Sequence, residues 1–404
     1  MKNKMYKRIA ISEIGSIVAG ATPKTSDATN YGGDIPWLTP ADLSGYTNKY
    51  IERGARNISK KGYDSCSTQI MPAGSILFSS RAPIGYVAIA ANPICTNQGF
   101  KSIVPNKNVD SEFLFYQLKF LKNQIADLGR GTTFKEISGK TLGSVEIVLP
   151  DLKEQKRIVN KIEELFSELD SAVETLKKTK EQLAVYRQSV LKAAFEKAGN
   201  QYVELKNLIE KPKYGTSKKC ECKFTKKSIA VFRIPNIDFK SGVIDQSELK
   251  YAVFLDAELT NIDLKENDLL IIRSNGSVSL VGRSAVVRRE DVNATYAGYL
   301  MRLRLLNPSE PMAKYLHYFL ESHDARIYIE NVAKSTSGVN NINSQEIANL
   351  KINICDDKRV KSIVTEIEES LSLCRGIEKT VNDALAQAEA MRQSILKKAF
   401  EGGL

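Results

Sequence analysis

Gly139-Lys140-Thr141 carries the closing letters of a phosphate-binding loop, in which backbone amides cradle phosphates and the lysine reaches the terminal ones. Such a loop also needs a glycine five positions earlier, where Phe134 stands, and it should open a helix; here it leads toward the strand-like run Val145 to Leu149. Gly129-Arg130-Gly131 lacks the third glycine of a dinucleotide fingerprint. Pro150-Asp151 followed by Glu154-Gln155-Lys156 supplies the letters of a metal-dependent nuclease. The carboxylates are too close in sequence, however, and Asp151 with Glu154 reads better as a helix-capping box. Cys220-Glu221-Cys222 is half of a zinc site at most, with no second pair and no histidine nearby, since a structural site takes four ligands. His317 and His323 have no partner residues for general base work. Enzymes that methylate the amino group of an extrahelical base hold it with a polar residue, Pro-Pro and an aromatic; this chain has no Pro-Pro. The expectation is a binding protein with no catalytic residues, no metal and no cofactor.

The charge points to what is bound. A net charge of +11 favours an anionic partner, and it is unevenly spread: +7 over 1–150, +1 over 151–200, +4 over 201–355 and −1 over 356–404. At 404 residues the chain should hold two or three domains. No apolar run approaches the ~20 residues of a membrane span. The basic start, Met1 to Arg8, is followed by an apolar stretch broken at Ser12, Glu13 and Gly15, a poor signal peptide. The six cysteines are scattered as reduced thiols would be. The chain is expected to be cytoplasmic and off the membrane.

The sequence is also written twice. Arg187-Gln188-Ser189-Val190-Leu191-Lys192-Ala193-Ala194-Phe195-Glu196 returns as Arg392-Gln393-Ser394-Ile395-Leu396-Lys397-Lys398-Ala399-Phe400-Glu401, with eight of ten positions identical at a displacement of 205. The same displacement carries Ile137, Leu142, Val145, Ile147 and Leu149 onto Ile342, Ile347, Leu350, Ile352 and Ile354. Each half is a globular segment followed by a helix. Ile162, Leu165, Leu169, Ala172, Leu176, Thr179, Leu183, Tyr186, Val190 and Ala193 fall at alternating spacings of three and four, and Ile367, Cys374, Ile377, Val381, Ala388, Met391 and Ile395 lie on the matching seam of the second helix. That is a coiled-coil seam. The boundaries expected are 1–150 for the first globular domain, 151–199 for the central helix, 200–355 for the second domain and 356–404 for the C-terminal helix. Two helices of ~45 residues span on the order of 65–70 Å each and should pair with each other. Antiparallel pairing is favoured, with an internal pseudo-twofold; parallel pairing and two separately packed helices are the alternatives. The class is α+β, with two mixed α/β domains joined by the helix pair.

This order resembles the specificity subunit of a Type I restriction–modification enzyme, over essentially the whole chain. The resemblance rests on Gly74-Ser75-Ile76-Leu77-Phe78-Ser79-Ser80-Arg81, on Asn97-Gln98-Gly99-Phe100, on the run Val148 to Val159, and on Leu396-Lys397-Lys398-Ala399-Phe400-Glu401-Gly402. The second half departs from it, with Asn267 to Arg273 and Ala297-Gly298-Tyr299 in the corresponding places. The resemblance implies two target-recognition domains, each reading one half of a split double-stranded DNA sequence, with half-sites about one turn apart, roughly 34–36 Å. It further implies helices that act as a ruler and dock two methyltransferase subunits, with restriction (motor and nuclease) subunits joining.

Arginine pairs best with guanine and Asn or Gln with adenine, so DNA contacts are sought in loops after strands. In the first half these are Ser79, Ser80, Arg81, Arg130, Thr132, Thr133 and Lys135. In the second they are Arg273, Ser274, Asn275, Arg283, Lys334, Ser335, Thr336, Asn340 and Asn341. The lysine cluster containing Lys218, Lys219, Lys226 and Lys227 is expected to grip phosphates. Two other classes stay open. A methyltransferase or nuclease with unrecognised motifs would bind S-adenosylmethionine or cut DNA by itself; a coiled-coil adaptor for an acidic protein would ignore competing duplex DNA.

Overall fold

The computed structural model describes residues 6–81, 83–131, 135–333 and 338–403. The chain divides into two compact units, Met1–Leu176 with Asp383–Leu404, and Lys177–Asn382. Each unit therefore takes part of both long helices, Leu152–Glu196 and Asp357–Phe400.

In the first unit a five-stranded sheet has the order Gly15–Ala19, Lys101–Pro105, Ile76–Ser80, Ile84–Ala90, Tyr50–Ile51. All its pairs are antiparallel except the last. The helix Ser111–Asp127 is capped by Asp110, whose carboxylate accepts from the Phe113 amide at 2.9 Å. Its apolar residues Phe113, Leu114 and Leu118 join Ile76, Phe78, Ile89 and Ile103 of the sheet in one core. Ile158, Val159 and Ile162 of the first long helix enter this core, as do Leu396, Ala399 and Phe400 of the second. The strand Arg8–Ala10 pairs antiparallel with Glu146–Val148, bringing the segment's entry and exit side by side. The buried amide of Gln155 then ties the first helix to the head. It donates to the carbonyls of Asn108 and Pro150 and accepts from the Asp110 amide.

The second unit repeats the plan. Tyr202–Glu204 pairs antiparallel with Lys351–Asn353. A four-stranded antiparallel sheet runs Lys213–Tyr214, Leu300–Leu303, Leu269–Ile272, Ser284–Val286, and a three-stranded one runs Lys250–Val253, Ser228–Phe232, Thr295–Tyr296. The core takes Leu191, Ala194 and Phe195 from the first long helix and Val360, Ile363 and Ile367 from the second. Phe195 meets Tyr315 and Phe319 edge-on at 5.0 and 5.5 Å. Phe400, its counterpart in the sequence repeat, meets Phe113 edge-on at 5.5 Å and lies tilted on Phe120 at 5.7 Å.

Within each unit the helices run antiparallel. Asp170 pairs with Arg392 in the first unit; in the second Lys180 reaches Asn382 and Lys197 pairs with Glu366. Ile162, Ile367, Cys374 and Val381 are buried on the seam, while Leu165, Leu169, Leu176, Leu183, Val190 and Ile395 are half-buried. Met391 is a correction: it is 48% exposed, and Arg392 turns inward instead, its guanidinium 5.1 Å from the Phe166 ring. Ile377 is likewise exposed, with its neighbour Glu378 turned toward Lys240 at 3.4 Å. A straight helix drifts about 20° per heptad against a strict seven-residue repeat, so an extrapolated register selects the wrong neighbour after several turns.

Candidate nucleic-acid interface

In the second unit Lys213–Tyr214 and Leu269–Ile272 both pair antiparallel with Leu300–Leu303, so they point the same way and end on one side of the sheet. Their ends and the turn Ala297-Gly298-Tyr299 enclose a cleft of about 670 Å³. Gly215 permits this approach, since a Cβ there would lie 2.2 Å from the Tyr296 carbonyl oxygen and 2.4 Å from that of Ala297. Lys218, Arg233, Lys250 and Arg273 line the cleft and no Asp or Glu does; Lys218 pairs with Glu258, and the other three cations have no ion pair among the described residues. Arg273 is held in place. Its guanidinium lies 4.4 Å from the centre of the Tyr214 ring, and its Nη1 donates to the Gly298 carbonyl at 3.1 Å. The Nε atoms of Arg273 and Arg233 are shielded from water without a partner. Burial also pushes the Cys220 thiol, at the cleft wall, above its ordinary pKa. Unpaired cations beside two tyrosines, Tyr214 and Tyr299, suit a polyanion with π-faces.

The other residues singled out in the second half are placed variously. Ser274 and Asn275 pair with Asn341 and Asn340 in a two-stranded ladder beside the cleft. Asn340 donates to the Gly276 carbonyl at 3.0 Å, and Asn341 is exposed. Lys218 is engaged by Glu258 at 2.6 Å, whereas Lys219, Lys226 and Lys227 are exposed. Arg283 is a correction: its side chain is only 18% exposed and serves as counter-ion to the buried carboxylate of Glu321. A buried charge needs a partner, so this arginine is committed to the interior. Lys334, Ser335 and Thr336 lie outside the described residues.

The first unit uses the same backbone frame. Gly74 and Asn267 both have positive φ at the start of the corresponding strands. The Ser80 amide donates to the Gly99 carbonyl at 2.7 Å and the Arg273 amide to that of Tyr299 at 2.9 Å. The Ser80 carbonyl accepts from the Ile137 amide, and the Arg273 carbonyl from the Ile342 amide. The amides of Thr39 and Arg233 are each capped by a side chain three residues on, from Asp42 and Asn236. Gly20 makes the close approach of Gly215, with a Cβ meeting the Asn97 carbonyl oxygen at 2.1 Å. Ser80 therefore stands where the second unit has Arg273, Thr39 where it has Arg233, and Gly99 where it has Tyr299.

Ser79 and Ser80 are themselves corrected. Both are fully buried, with Ser79 bridging the Pro83 carbonyl and the Tyr86 amide, and Ser80 donating to the Gly99 carbonyl at 3.1 Å. They close the middle strand of a sheet packed on both faces and present nothing to a ligand. Arg81, Arg130 and Lys135 do come together. The backbones of Arg81 and Arg130 both bridge to Glu136, whose carboxylate lies 3.8 Å from Arg81 and 3.6 Å from Lys101. Arg130 and Lys135 are exposed. Thr132 and Thr133 lie outside the described residues. Reasoning from sequence missed Tyr214, Arg233, Lys250 and Tyr299; Gly215 before Thr216, echoing Gly20 before Ala21-Thr22, was the available signal.

The rejected chemistry has plain structural roles. Asp151 accepts from the Glu154 amide at 2.9 Å as a helix cap. His317 is buried against Ser284 at 3.0 Å, and burial lowers its pKa to about 3. Among the described residues no group of three or more His, Cys, Asp or Glu could hold a metal ion, and no helix is long and apolar enough to cross a membrane.

Residues 3–184 match the family described as the Type I restriction modification DNA specificity domain. The chain is 46% identical to the Type I restriction enzyme MjaIX specificity subunit of Methanocaldococcus jannaschii over 42% of its own length and 39% of that protein's. It is 27% identical to the Type I restriction enzyme EcoKI specificity subunit of Escherichia coli over 98% of its length and 88% of that protein's. A chain solved in work on assembly and conformational transition of the type I R-M system shares the fold, with a TM-score of 0.78 and 17% identity over 99% of both chains. The match of residues 3–184 and the relatives that align along the chain support a DNA-recognition subunit. Over nearly its whole length the chain is similar to specificity subunits of Type I restriction enzymes.

Proposed function

We propose that this chain selects a bipartite DNA sequence, with one half-site read by each head, residues 1–150 and 200–355, on behalf of subunits that carry the chemistry. Two methyltransferase subunits dock on the helices 151–199 and 356–404, restriction subunits join them, and the assembly works on double-stranded DNA in the cytoplasm. The observation that carries this reading is a shared frame with unlike side chains. The heads keep the same backbone hydrogen bonds around Ser80 and Arg273 while the side chains there differ, whereas the ends of the helices repeat almost letter for letter. Helices that face identical partners and heads that read different sequences would be selected in that way.

The test is a map of methylated adenines in the host genome with the gene intact and deleted. A split motif methylated only when the gene is present is the expected result; no gene-dependent motif would refute the reading. Inserting four residues into both helices should lengthen the unread spacer by about two base pairs, from ~1.5 Å per helical residue. An unchanged spacer would remove the helices' role as a ruler.

A further inference from the structure

The frame shared by the heads identifies positions where only the side chain changes, and those positions assign specificity. We propose that Arg273 and Tyr299 determine the half-site read by the second unit, with Arg273 recognising the guanine of a G·C pair. The proposal deepens the bipartite reading above and rests on it.

Three observations converge on Arg273. Its backbone is fixed by the amide bond to the Tyr299 carbonyl at 2.9 Å and by the bond from the Ile342 amide at 2.9 Å, as Ser80 is fixed in the first unit. Its guanidinium is oriented by the Tyr214 ring on one face and by the Gly298 carbonyl at Nη1. Its outer end, Nη2 with the second hydrogen of Nη1, has no hydrogen-bond partner among the described residues and is not sealed off as Nε is, and no carboxylate neutralises the charge. A guanidinium so held presents a fixed fork, and the acceptor pair that fits a fork on a base edge is guanine O6 and N7. Phosphate fits the fork as well, but Arg233 and Lys250 in the same cleft, together with the exposed lysines, already supply cations for the backbone.

Tyr299 acts beside it. Its side chain is 63% exposed although it is attached to the same turn that anchors Arg273. The first unit has Gly99 here, where a Cβ would lie 2.7 Å from Pro40, so that head has no room for an aromatic at this position. An exposed tyrosine on a rigid turn next to the arginine offers an apolar face to the neighbouring base pair, a contact suited to a thymine methyl or a base edge. The two heads thus present different surfaces from one scaffold: Ser80 and Gly99 leave a flat, closed strand end, whereas Arg273 and Tyr299 project.

The full-length chain, co-expressed with the methyltransferase subunit of its own system in a host free of other adenine methylation, tests this by sequencing of the methylated motif. The variants are Arg273→Ser and Tyr299→Gly, each installing the first unit's residue, and Arg273→Lys. Arg273→Ser should leave one half of the motif intact and relax a single G·C position in the other half. The preference there should fall from on the order of tenfold to a hundredfold to about onefold. Tyr299→Gly should loosen the adjacent position of the same half. An unchanged motif methylated at a lower level would show a phosphate contact and overturn the assignment, as would changes in both halves. If Arg273→Ser abolishes methylation, Tyr299→Gly decides, because an exposed side chain can be removed without disturbing the core; an unchanged motif in that variant overturns the proposal. A wild-type chain that directs no split motif defeats the bipartite reading beneath it, a result distinct from all of these.

Discussion

Removing the Phe400 ring should unfold the first unit selectively. Phe400 is 4% exposed, sits in the last turn of the second long helix, and contacts Phe113 and Phe120 at centroid separations of 5.5 and 5.7 Å. Truncation to alanine forfeits the burial of the ring and opens a cavity between the helix Ser111–Asp127 and the helix pair, at about 3–5 kcal/mol for a buried phenylalanine. Of this about 0.5–1.5 kcal/mol belongs to the edge-to-face pair. A domain is stable by only about 5–15 kcal/mol, so Phe400→Ala should remove roughly a fifth or more of the margin. Phe400→Leu keeps most of the volume and should cost less than about half as much. Hydrogen exchange read by mass spectrometry, with urea unfolding alongside, measures this. Peptides from 76–127 should lose protection, while those from 202–353, whose core is anchored by Phe195, should keep it. A loss below about 1 kcal/mol, or equal loss in both sets of peptides, would refute the argument that each helix end completes a separate core.

Other outcomes follow from particular residues. His317 is held neutral by burial, with Arg187, Arg283 and Asp238 nearby, and its pKa is lowered to about 3 from an ordinary value near 6.5. The unfolded chain therefore binds a proton that the folded chain does not between those values. Stability should be full above about pH 6.5 and fall by up to about 1.4 kcal/mol per pH unit below it; His317→Asn should flatten that slope in urea titrations, and an unaltered slope would place the proton elsewhere. Arg283→Ala should cost about 3–5 kcal/mol by stranding the Glu321 carboxylate, yet leave the methylated motif as it was; a changed motif would return Arg283 to the DNA surface. Replacing Lys219, Lys226 and Lys227 with alanine should weaken binding to specific and random duplexes alike and reduce the salt slope by roughly two to three. A loss confined to the specific duplex would mean that these lysines read bases.

The long helices were legible because their seam is periodic and repeats at one displacement, 205 residues. The heads obey no single displacement. Gly20 and Gly215 are 195 apart, Ser80 and Arg273 are 193 apart, Gly99 and Tyr299 are 200 apart, and only near Ile137 and Ile342 does 205 return. Loops of unequal length shift the register several times, and the backbone hydrogen bonds that reveal the correspondence leave no trace in residue types. Small polar residues mislead for a related reason. Ser79 and Ser80 read as a loop, but a hydroxyl at the end of a middle strand satisfies its own sheet. Arg283 misled in the opposite way, because its partner Glu321 is 38 residues distant in sequence.

The pairing of Arg8–Ala10 with Glu146–Val148, and of Tyr202–Glu204 with Lys351–Asn353, has a consequence for how such genes change. The second head leaves one long helix and enters the other through two adjacent strands, and the first head begins and ends at such a pair, so what lies between forms an excursion whose length the helices do not feel. Recombination at those strands can replace a whole cassette in one event while preserving the residues that seat the helix ends. Such an exchange would change the surface that one head presents while the helix ends stay seated. The crossover points most readily tolerated would lie in the codons of these short strands and not within the sheets they enclose.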